Sequence, residues 1–217
     1  DERMRLRAEL GIPNDAPVVV GAFRLSEEKR PELFVETVAK ARASHPTLHA
    51  ILMGEGPYQE AVNAKIAELG LMGAFHCVGR RSDLPMVMTS ADVFLHTAYW
   101  EGTPNVVLEA QQLHMPVVAT DAGGSYDAIH HGVTGFRVPK DDTEQLAARL
   151  TEVLSDLPGW KQRATAGSDF VRQNFGIKRM ADETLAVQKR SLQHATQVQR
   201  SASGPWYWRL FDKLARA

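Results

Sequence analysis

Two basic residues, Arg24 and Lys29, stand five positions apart in a loop between an apolar run and a helical pattern. A diphosphate needs cations together with backbone N–H donors, and the N-terminus of a helix adds partial positive charge. Arginine offers a planar fork of donors, and lysine offers a compact point charge. The pattern is typical of a phosphate-binding loop, but two solvated surface charges beside Glu27 and Glu28 would give the same local sequence.

Two carboxylates separated by seven residues, Glu101 and Glu109, form the most informative pattern in the chain. Pro104 suits the first position of a helix, which places Glu101 in the preceding loop and Glu109 more than one turn inside the helix. The two carboxylates can then approach one ligand from different directions, and a carboxylate accepts hydrogen bonds well from a ribose diol. The simpler interpretations are a helix-dipole partner for Glu101 and an exposed surface position for Glu109.

Paired glycines occur in two further loops. Gly54 and Gly56 follow an apolar run, and Gly123 and Gly124 precede a short helical pattern. Glycine lets the backbone approach a ligand closely, and N–H groups near a helix start favour anions. For Gly54 and Gly56 the sequence favours an ordinary turn, and for Gly123 and Gly124 it leaves a tight turn and a ligand contact open. The sequence contains neither the Gly-x-Gly-x-x-Gly fingerprint of nicotinamide binding nor a Gly-Lys-Ser/Thr phosphate loop.

Short apolar runs alternate with helical patterns across most of the chain. Such alternation predicts an α/β fold, in which helices cover both faces of a Rossmann-like parallel sheet. Ligands of open α/β sheets bind beyond the carboxyl ends of the strands, so we expect the loops described above to meet at one edge. The predicted strands are 17–23, 48–53, 75–78, 93–96, 117–120 and 135–138, and the predicted helices are 31–41, 58–69, 83–89, 104–113, 126–130 and 143–154.

The composition excludes several classes of protein. Of the 217 residues, 44 % are hydrophobic and 24 % are charged, which is typical of a globular chain, and the net charge of −1 gives no general attraction to nucleic acid. The single cysteine, Cys77, excludes an intramolecular disulfide, and we expect it in the core. The spacing of the eight histidines does not indicate a metal site, and we interpret His96 as a core histidine or a support for the cleft.

The charge balance changes near residue 176. Residues 1–177 carry a balance of −6, whereas residues 178–217 carry +5. We therefore predict a main domain over 1–176 and a helical tail over 177–217. The tail contains a polar helix at 180–199, a linker at 201–205 and a basic, aromatic, amphipathic helix at 206–216. This last segment can contact an anionic membrane surface, dock on another domain or pack on its own domain.

Taken in order, these segments resemble the C-terminal, donor-binding domain of GT-B glycosyltransferases, specifically the large retaining family 4. The resemblance covers roughly residues 15–155 and combines several motifs in sequence. These are Gly-x-x-Arg24-Leu-x-x-Glu-Lys29, Gly54-Glu-Gly-Pro57, Gly79-Arg80, Glu101-x₇-Glu109-Ala, Pro116-Val-Val-Ala-Thr120 and Gly123-Gly124. It departs from the family at Arg30, where glycine is usual, and at Asp127, where glutamate often follows the two glycines.

The resemblance implies roles for particular residues. Arg24 and Lys29 would hold the donor diphosphate and stabilise the leaving nucleotide, Glu101 would contact the donor sugar, and Glu109 would accept hydrogen bonds from the ribose. Arg24, Lys29 and Glu101 are thus the candidate catalytic residues. The other candidate nucleotide-sugar-binding residues are Gly54, Gly56, Val78, Arg80, Arg81, Gly102, Thr103, Pro104, Asn105, Val106, Gly123 and Gly124.

The resemblance also implies a nucleotide diphosphate sugar as donor, with no cofactor and no metal ion. The acceptor would be a glycan or a lipid-linked glycan, held by an N-terminal domain that this chain lacks. We expect a role in polysaccharide biosynthesis, in the cytoplasm or at the inner face of the membrane. Two alternatives stay open: a nucleotide-sugar epimerase or phosphorylase of the same fold, and a binding module without catalysis.

Overall fold

The computed structural model describes residues 2–200 of the chain and the side chains of residues 3–193. The chain divides into two compact units after Val171. Sequence analysis placed this division at residue 176, and the assignment of a donor-binding domain and a tail to the two parts stays a prediction. The larger unit contains a parallel sheet of six strands, which confirms the predicted fold class. The strands are β1 (Val18–Ala22), β2 (His49–Met53), β3 (Phe75–Gly79), β4 (Val93–His96), β5 (Val117–Asp121) and β6 (Gly135–Pro139).

Ten α-helices surround and follow this sheet within the described residues. Each helix predicted between residues 31 and 154 is present, with small differences at the ends. Sequence analysis did not predict the helices α1, α8 and α9. The helices are α1 (Glu2–Glu9), α2 (Pro31–Arg42), α3 (Gln59–Glu68), α4 (Leu84–Thr89), α5 (Asn105–Gln112), α6 (Ser125–Ala128), α7 (Thr143–Ser155), α8 (Leu157–Ala164), α9 (Ala166–Phe175) and α10 (Ile177–Arg200).

The order of the strands fixes where a ligand can bind. The sheet runs β3-β2-β1-β4-β5-β6, so the chain builds outward from β1 in one direction and then outward from β4 in the other. The direction reverses between β1 and β4, which pair in parallel through Val19 with Val93 and Val20 with Phe94. A crevice forms beyond the carboxyl ends of the strands at such a reversal. The loops that carry Lys29 and Glu101 follow these two strands.

The strand β1 is buried along its whole length, as expected for a strand covered on both faces. Gly21 lies where this strand contacts the helix α2. A Cβ atom on Gly21 would lie 2.5 Å from Cε2 of Phe34, whose ring is completely buried and packs edge-on against Phe23 and Phe75. Glycine at this position therefore allows the first strand and the helix that follows it to pack closely.

The helix α1 is held by buried charge rather than by a strong apolar face. The side chain of Arg7 is fully buried, and its Nη2 lies 2.9 Å from Oδ2 of Asp92, the residue before β4. Arg3 and Lys161 also contact this carboxylate, at 2.9 and 2.6 Å. Burial lowers the pKa of Arg7, and the neighbouring Asp92 opposes that effect. An ion pair across so many residues gives no local pattern, which explains why sequence analysis missed α1.

One prediction about the core was wrong. Cys77 is exposed on β3, not buried. The cause is topological, because β3 is an edge strand that pairs only with β2 among the described residues. Alternate positions on an edge strand face outward even when the sequence around them is apolar. The thiol therefore has no role in core packing.

The smaller unit is dominated by α10, which confirms the helix predicted at 180–199. Large apolar side chains stay exposed along it, namely Ile177, Met180, Leu185, Val187 and Leu192. Within the described part of the chain, no helix is both long and apolar enough to cross a bilayer. The predicted linker at 201–205 and the predicted amphipathic helix at 206–216 lie outside the described residues.

Candidate functional site

The loops after β1 and β4 meet at the reversal point of the sheet. The backbone N–H of Tyr99 donates to the carbonyl of Glu28 at 2.7 Å. The hydroxyl of Thr97 donates to the carbonyl of Lys29 at 2.8 Å. These bonds join the loop of the candidate phosphate-binding lysine to the loop of the first carboxylate. The expectation that the candidate residues gather at one edge therefore holds for this pair of loops.

A lysine, a carboxylate and a histidine form the centre of the site. Lys29 Nζ and His96 Nε2 both contact the same oxygen, Oε1 of Glu101, and the histidine lies at 2.8 Å. The side chains of Lys29 and Glu101 are 20 % and 12 % exposed, so the pair is sheltered and still reachable from solvent. Burial alone would raise the pKa of Glu101, but the hydrogen bonds from His96 and Lys29 hold it below its usual value. Glu101 is therefore an ionised acceptor near neutral pH.

Of the three residues at the centre of the site, His96 had the weakest functional signal in the sequence. The interpretation as a core or supporting histidine is consistent with its complete burial at the end of β4, in contact with the rings of Phe23 and Phe94. Burial lowers the pKa of His96 and outweighs the attraction of Glu101, so the ring is neutral. An ionised carboxylate can only accept, so we assign the ring proton to Nε2. The ring then orients Glu101 without cancelling its charge.

The remaining charged candidates differ in exposure and in side-chain contacts. Arg24, Arg80 and Glu109 are exposed. Arg81 is engaged instead, because its Nε and Nη2 donate to the two carboxylate oxygens of Asp83 at 2.8 and 2.7 Å. The structure thus fixes the plane of the Arg81 guanidinium and leaves the side chains of the other three open to solvent. Val78 is partly buried near the end of β3.

Gly54 and Gly56 bring the second loop against the first. Gly54 has a φ of 143°, and a Cβ on it would lie 1.9 Å from the carbonyl oxygen of Phe23. A Cβ on Gly56 would lie 2.3 Å from the carbonyl oxygen of Leu25. The N–H of Leu25 donates to the carbonyl of Glu55 at 3.0 Å across the same contact. Close backbone packing therefore accounts for both glycines, and a direct contact with a ligand stays a prediction.

Gly123 and Gly124 serve the loop that carries Glu101. The N–H of Glu101 donates to the carbonyl of Ala122 at 2.8 Å, and the N–H of Gly124 donates back to the carbonyl of Glu101 at 3.2 Å. Gly123 has a φ of 78°, which favours glycine. A Cβ on Gly124 would lie 1.6 Å from the carbonyl oxygen of Gly102. The two glycines therefore hold the backbone of Glu101 in place.

We expect Gly124→Ala to displace the Glu101 loop and to lower the free energy of unfolding by about 1–3 kcal/mol, the usual cost of overpacking. Thermal denaturation measures the effect. Gly102→Ala is the matched control, because its Cβ would meet no atom within 4 Å. Equal losses of stability in the two variants would show that the contact between Gly124 and Gly102 does not constrain the loop.

The helix α5 begins one residue later than predicted. Pro104 is the N-cap, and Asn105 is the first helical residue. The carbonyl of Pro104 accepts the N–H groups of Val107 and Leu108, at 2.9 and 3.3 Å. The earlier N–H groups of the first turn, those of Asn105 and Val106, are the ones that a helix start leaves free of intrahelical partners. Together with the exposed Gly102 and Thr103, this segment borders Glu101 and offers donors to an anionic or hydroxyl-bearing ligand.

Among the described residues, no group of three or more His, Cys, Asp or Glu side chains could hold a metal ion. The arrangement instead offers cations, helix-start N–H groups and an ionised carboxylate at the reversal point of a parallel sheet. These features define an α/β domain of Rossmann type with a candidate ligand site at the reversal point.

Comparison with known proteins identifies the family. A family described as "Glycosyl transferases group 1" matches residues 2–168, and the chain belongs to it. The Vi polysaccharide biosynthesis protein VipC/TviE of Salmonella typhi is 30 % identical over 185 residues, which cover 81 % of this chain and 32 % of that protein. The lipopolysaccharide core biosynthesis glycosyltransferase LpsE of Rhizobium meliloti is 27 % identical over 181 residues, covering 83 % of this chain and 52 % of that protein.

A solved structure supports the same relationship. Crystallised HepE of Anabaena, in complex with UDP and glucose, is 28 % identical and superimposes with a TM-score of 0.76. The match covers 85 % of this chain and 52 % of that one. The fold predicted from the resemblance, that of the C-terminal half of a GT-B glycosyltransferase, is therefore confirmed. The chain spans between about a third and about half of the length of these relatives.

Proposed function

We propose that this chain is the donor-binding part of a retaining glycosyltransferase of family 4, which transfers a sugar from a nucleotide diphosphate sugar to a glycan or lipid-linked acceptor. The observation that carries the proposal is the contact of Lys29 and His96 with one oxygen of Glu101 at the reversal point of the sheet. Membership of the glycosyl transferases group 1 family and the likeness to a protein crystallised with UDP and glucose support it.

We infer a task for each side of the site from its charges. Cleavage of the bond between the anomeric carbon and the diphosphate leaves negative charge on the departing nucleotide and positive charge on the sugar. Lys29 and the exposed Arg24 would stabilise the diphosphate, and fixed cations lower such a barrier because they need no reorganisation. Glu101 would accept hydrogen bonds from the sugar hydroxyls while His96 holds the carboxylate. The site would work without a cofactor or a metal ion.

The partners of the site follow from the same proposal. The acceptor would bind to a domain that corresponds to the part of the relatives not covered by this chain. The reaction would then occur between that domain and the donor-binding domain. The names of two relatives refer to Vi polysaccharide and lipopolysaccharide core biosynthesis, which supports a polysaccharide or lipid-linked acceptor. A cytoplasmic location, with contact at the inner membrane face through 206–216, completes the proposal.

Calorimetric titration of the 217-residue chain with UDP, GDP and ADP tests the donor site and selects its nucleobase. We expect one of the three to bind in the micromolar to low millimolar range. The matching hexose conjugate, such as UDP-glucose, then reports on the sugar position. If none of the three nucleotides binds at millimolar concentration, the donor-binding function is wrong for this chain.

Glu109→Gln should weaken binding of the selected ribonucleotide about 10-fold and weaken binding of its 2′-deoxy form much less. The physical reason is that a carboxylate makes charge-assisted hydrogen bonds to a ribose diol, and a neutral amide does not. Calorimetry with both nucleotides measures the difference. Glu60→Gln, at an exposed position in the first turn of α3, is the control for loss of surface charge. Equal weakening of both nucleotides would contradict the ribose assignment.

A further inference from the structure

Arg30 has a backbone conformation that is unusual for arginine. It lies directly after Lys29 and caps the N-terminus of α2, with a φ of 47° and a ψ of 59°. This left-handed region is unfavourable for a residue with a Cβ atom and is ordinarily occupied by glycine. The conformation gives a physical reason for the glycine that is usual here in the family. An arginine that bears this cost must make contacts that glycine cannot make.

The guanidinium of Arg30 joins three loops at the carboxyl end of the sheet. Its Nε donates to the carbonyl of Thr97 at 2.9 Å, in the loop between β4 and α5. Its Nη1 donates to the carbonyl of Lys140 at 2.7 Å, in the loop between β6 and α7. The backbone of Arg30 itself belongs to the loop after β1. A planar, permanently charged side chain can make both bonds at once, and each is charge-assisted.

These bonds strengthen the connection between Lys29 and Glu101. Thr97 returns a bond from its hydroxyl to the carbonyl of Lys29, so the two loops are linked in both directions. A further hydrogen bond between the two loops runs from the N–H of Tyr99 to the carbonyl of Glu28. Tyr99 is two residues before Glu101. The distance between the lysine ammonium and the carboxylate therefore depends on how firmly these loops are held together.

Fold stability alone does not account for the arginine. Its Nη2 is buried and has no hydrogen-bond partner among the described residues, which is unfavourable for a charged group. Burial lowers the pKa of Arg30, with Asp141 opposing that effect. The guanidinium carbon also lies 5.5 Å from the ring centroid of Tyr99, and the ammonium of Lys140 lies 3.9 Å from the same centroid. A strained backbone and a buried donor without a partner both oppose folding, and the need for a rigid site gives a reason to retain them.

We propose that Arg30 is a positioning residue, which locks the loop of Glu101 against the loop of Lys29 and so sets the spacing between the diphosphate and sugar positions. The inference rests on the proposed function, because it assigns the diphosphate to Lys29 and the sugar to Glu101. Arg30 touches neither position. Arg30 acts through the backbone of Thr97 and through Lys29, the residue that precedes it in sequence.

Two substitutions separate the side chain from the backbone strain. Arg30→Gly removes the guanidinium and relieves the left-handed strain, whereas Arg30→Ala removes the guanidinium and keeps the strain. We expect the glycine variant to be at least as stable to heat as the alanine variant. In both variants, the affinity for the hexose conjugate divided by the affinity for the bare diphosphate should fall about 10-fold, since each variant lacks the same charge-assisted bonds. Calorimetry with the nucleotide selected above measures this ratio.

Lys140→Ala is the matched control. It removes the ammonium over Tyr99 and keeps the carbonyl that accepts from Arg30, so it should retain the ratio. An unchanged ratio in both Arg30 variants would overturn the positioning role, even if their melting temperatures fall. An equal loss in Lys140→Ala would also overturn it, because the effect would then belong to the packing around Tyr99.

A second readout keeps the proposal testable if no nucleotide binds. The NMR titration of the Glu101 carboxyl in the ligand-free chain reports its contact with Lys29 directly. Because that contact helps to hold the pKa of Glu101 low, Arg30→Gly should raise the pKa toward its usual value. An unchanged titration would overturn the positioning role, whereas absence of nucleotide binding in the parent chain would overturn only the proposed function.

Discussion

Lys29→Ala should weaken binding of the selected nucleoside diphosphate about 10- to 100-fold and leave the bare nucleoside almost unaffected. A charge-assisted hydrogen bond contributes roughly 1.5–3 kcal/mol, which corresponds to this range. The loss should fall near the upper end, because Glu101 is 12 % exposed and would keep its negative charge beside the diphosphate without its lysine partner. Calorimetry with the diphosphate and the nucleoside measures the two losses separately.

The control for Lys29→Ala is a surface lysine on α2, the helix that follows the Lys29 loop. Lys40, near the C-terminal end of α2, forms an ion pair with Glu144 at 2.5 Å on the surface. Surface pairs of this kind contribute little to stability, so Lys40→Ala removes one positive charge without touching the site. It should leave both affinities unchanged. If Lys29→Ala weakened the nucleoside and the diphosphate to the same degree, Lys29 would not contact phosphate.

The sheet was predictable because its signal is local. The buried strand β1 and the periodic helix α2 each show their environment in their own residues, through an apolar run and through apolar residues on one helix face. Alternation of such segments then restricts the connections to parallel, right-handed crossovers. The meeting of the Lys29 and Glu101 loops follows from that topology and required no knowledge of side-chain contacts.

Contacts between distant residues could not be predicted in the same way. Arg7 and Asp92 meet across more than eighty residues and dock a helix that sequence analysis missed. Cys77 was placed in the core because its neighbours are apolar, but whether a strand is central or at the edge depends on the order of the whole sheet. In both cases the deciding partner lies far away in sequence.

In the candidate site, too, the local features could be predicted and the contacts between distant residues could not. The sequence singled out Lys29 and Glu101 by residue type and spacing, and the structure places them in contact. His96 gave only a weak signal, since a histidine at the end of an apolar strand is ordinary in a core. For the glycines the sequence left both a ligand contact and a turn open, and the backbone contacts of Gly54 and Gly124 account for both residues as features of loop packing. A residue's chemistry can be read locally, whereas its contacts depend on the fold.

Glu101→Gln should affect the affinity for the hexose conjugate and the affinity for the bare diphosphate differently. Affinity for the hexose conjugate should fall about 10- to 100-fold, because a charge-assisted acceptor for the sugar hydroxyls is lost. Affinity for the bare diphosphate should stay unchanged or increase, because the substitution releases Lys29 from its carboxylate partner and removes a nearby negative charge. Titration of both ligands into one variant gives the two effects. A parallel loss for both ligands would mean that Glu101 supports the fold of the site rather than the sugar.

The pH dependence of ligand preference tests whether the ionised carboxylate of Glu101 is the acceptor for the sugar hydroxyls. Glu101 has a pKa below its usual value, so its charge persists as pH falls through the normal range for glutamate and disappears only at the lowered pKa. The preference of the parent chain for the hexose conjugate over the bare diphosphate should therefore persist to mildly acidic pH and then decline. Glu101→Gln should lack that decline. His96→Leu should move the decline to higher pH, since it removes one of the hydrogen bonds that lower the pKa. A decline at the same pH in the parent chain and in His96→Leu would mean that His96 does not control the charge of Glu101.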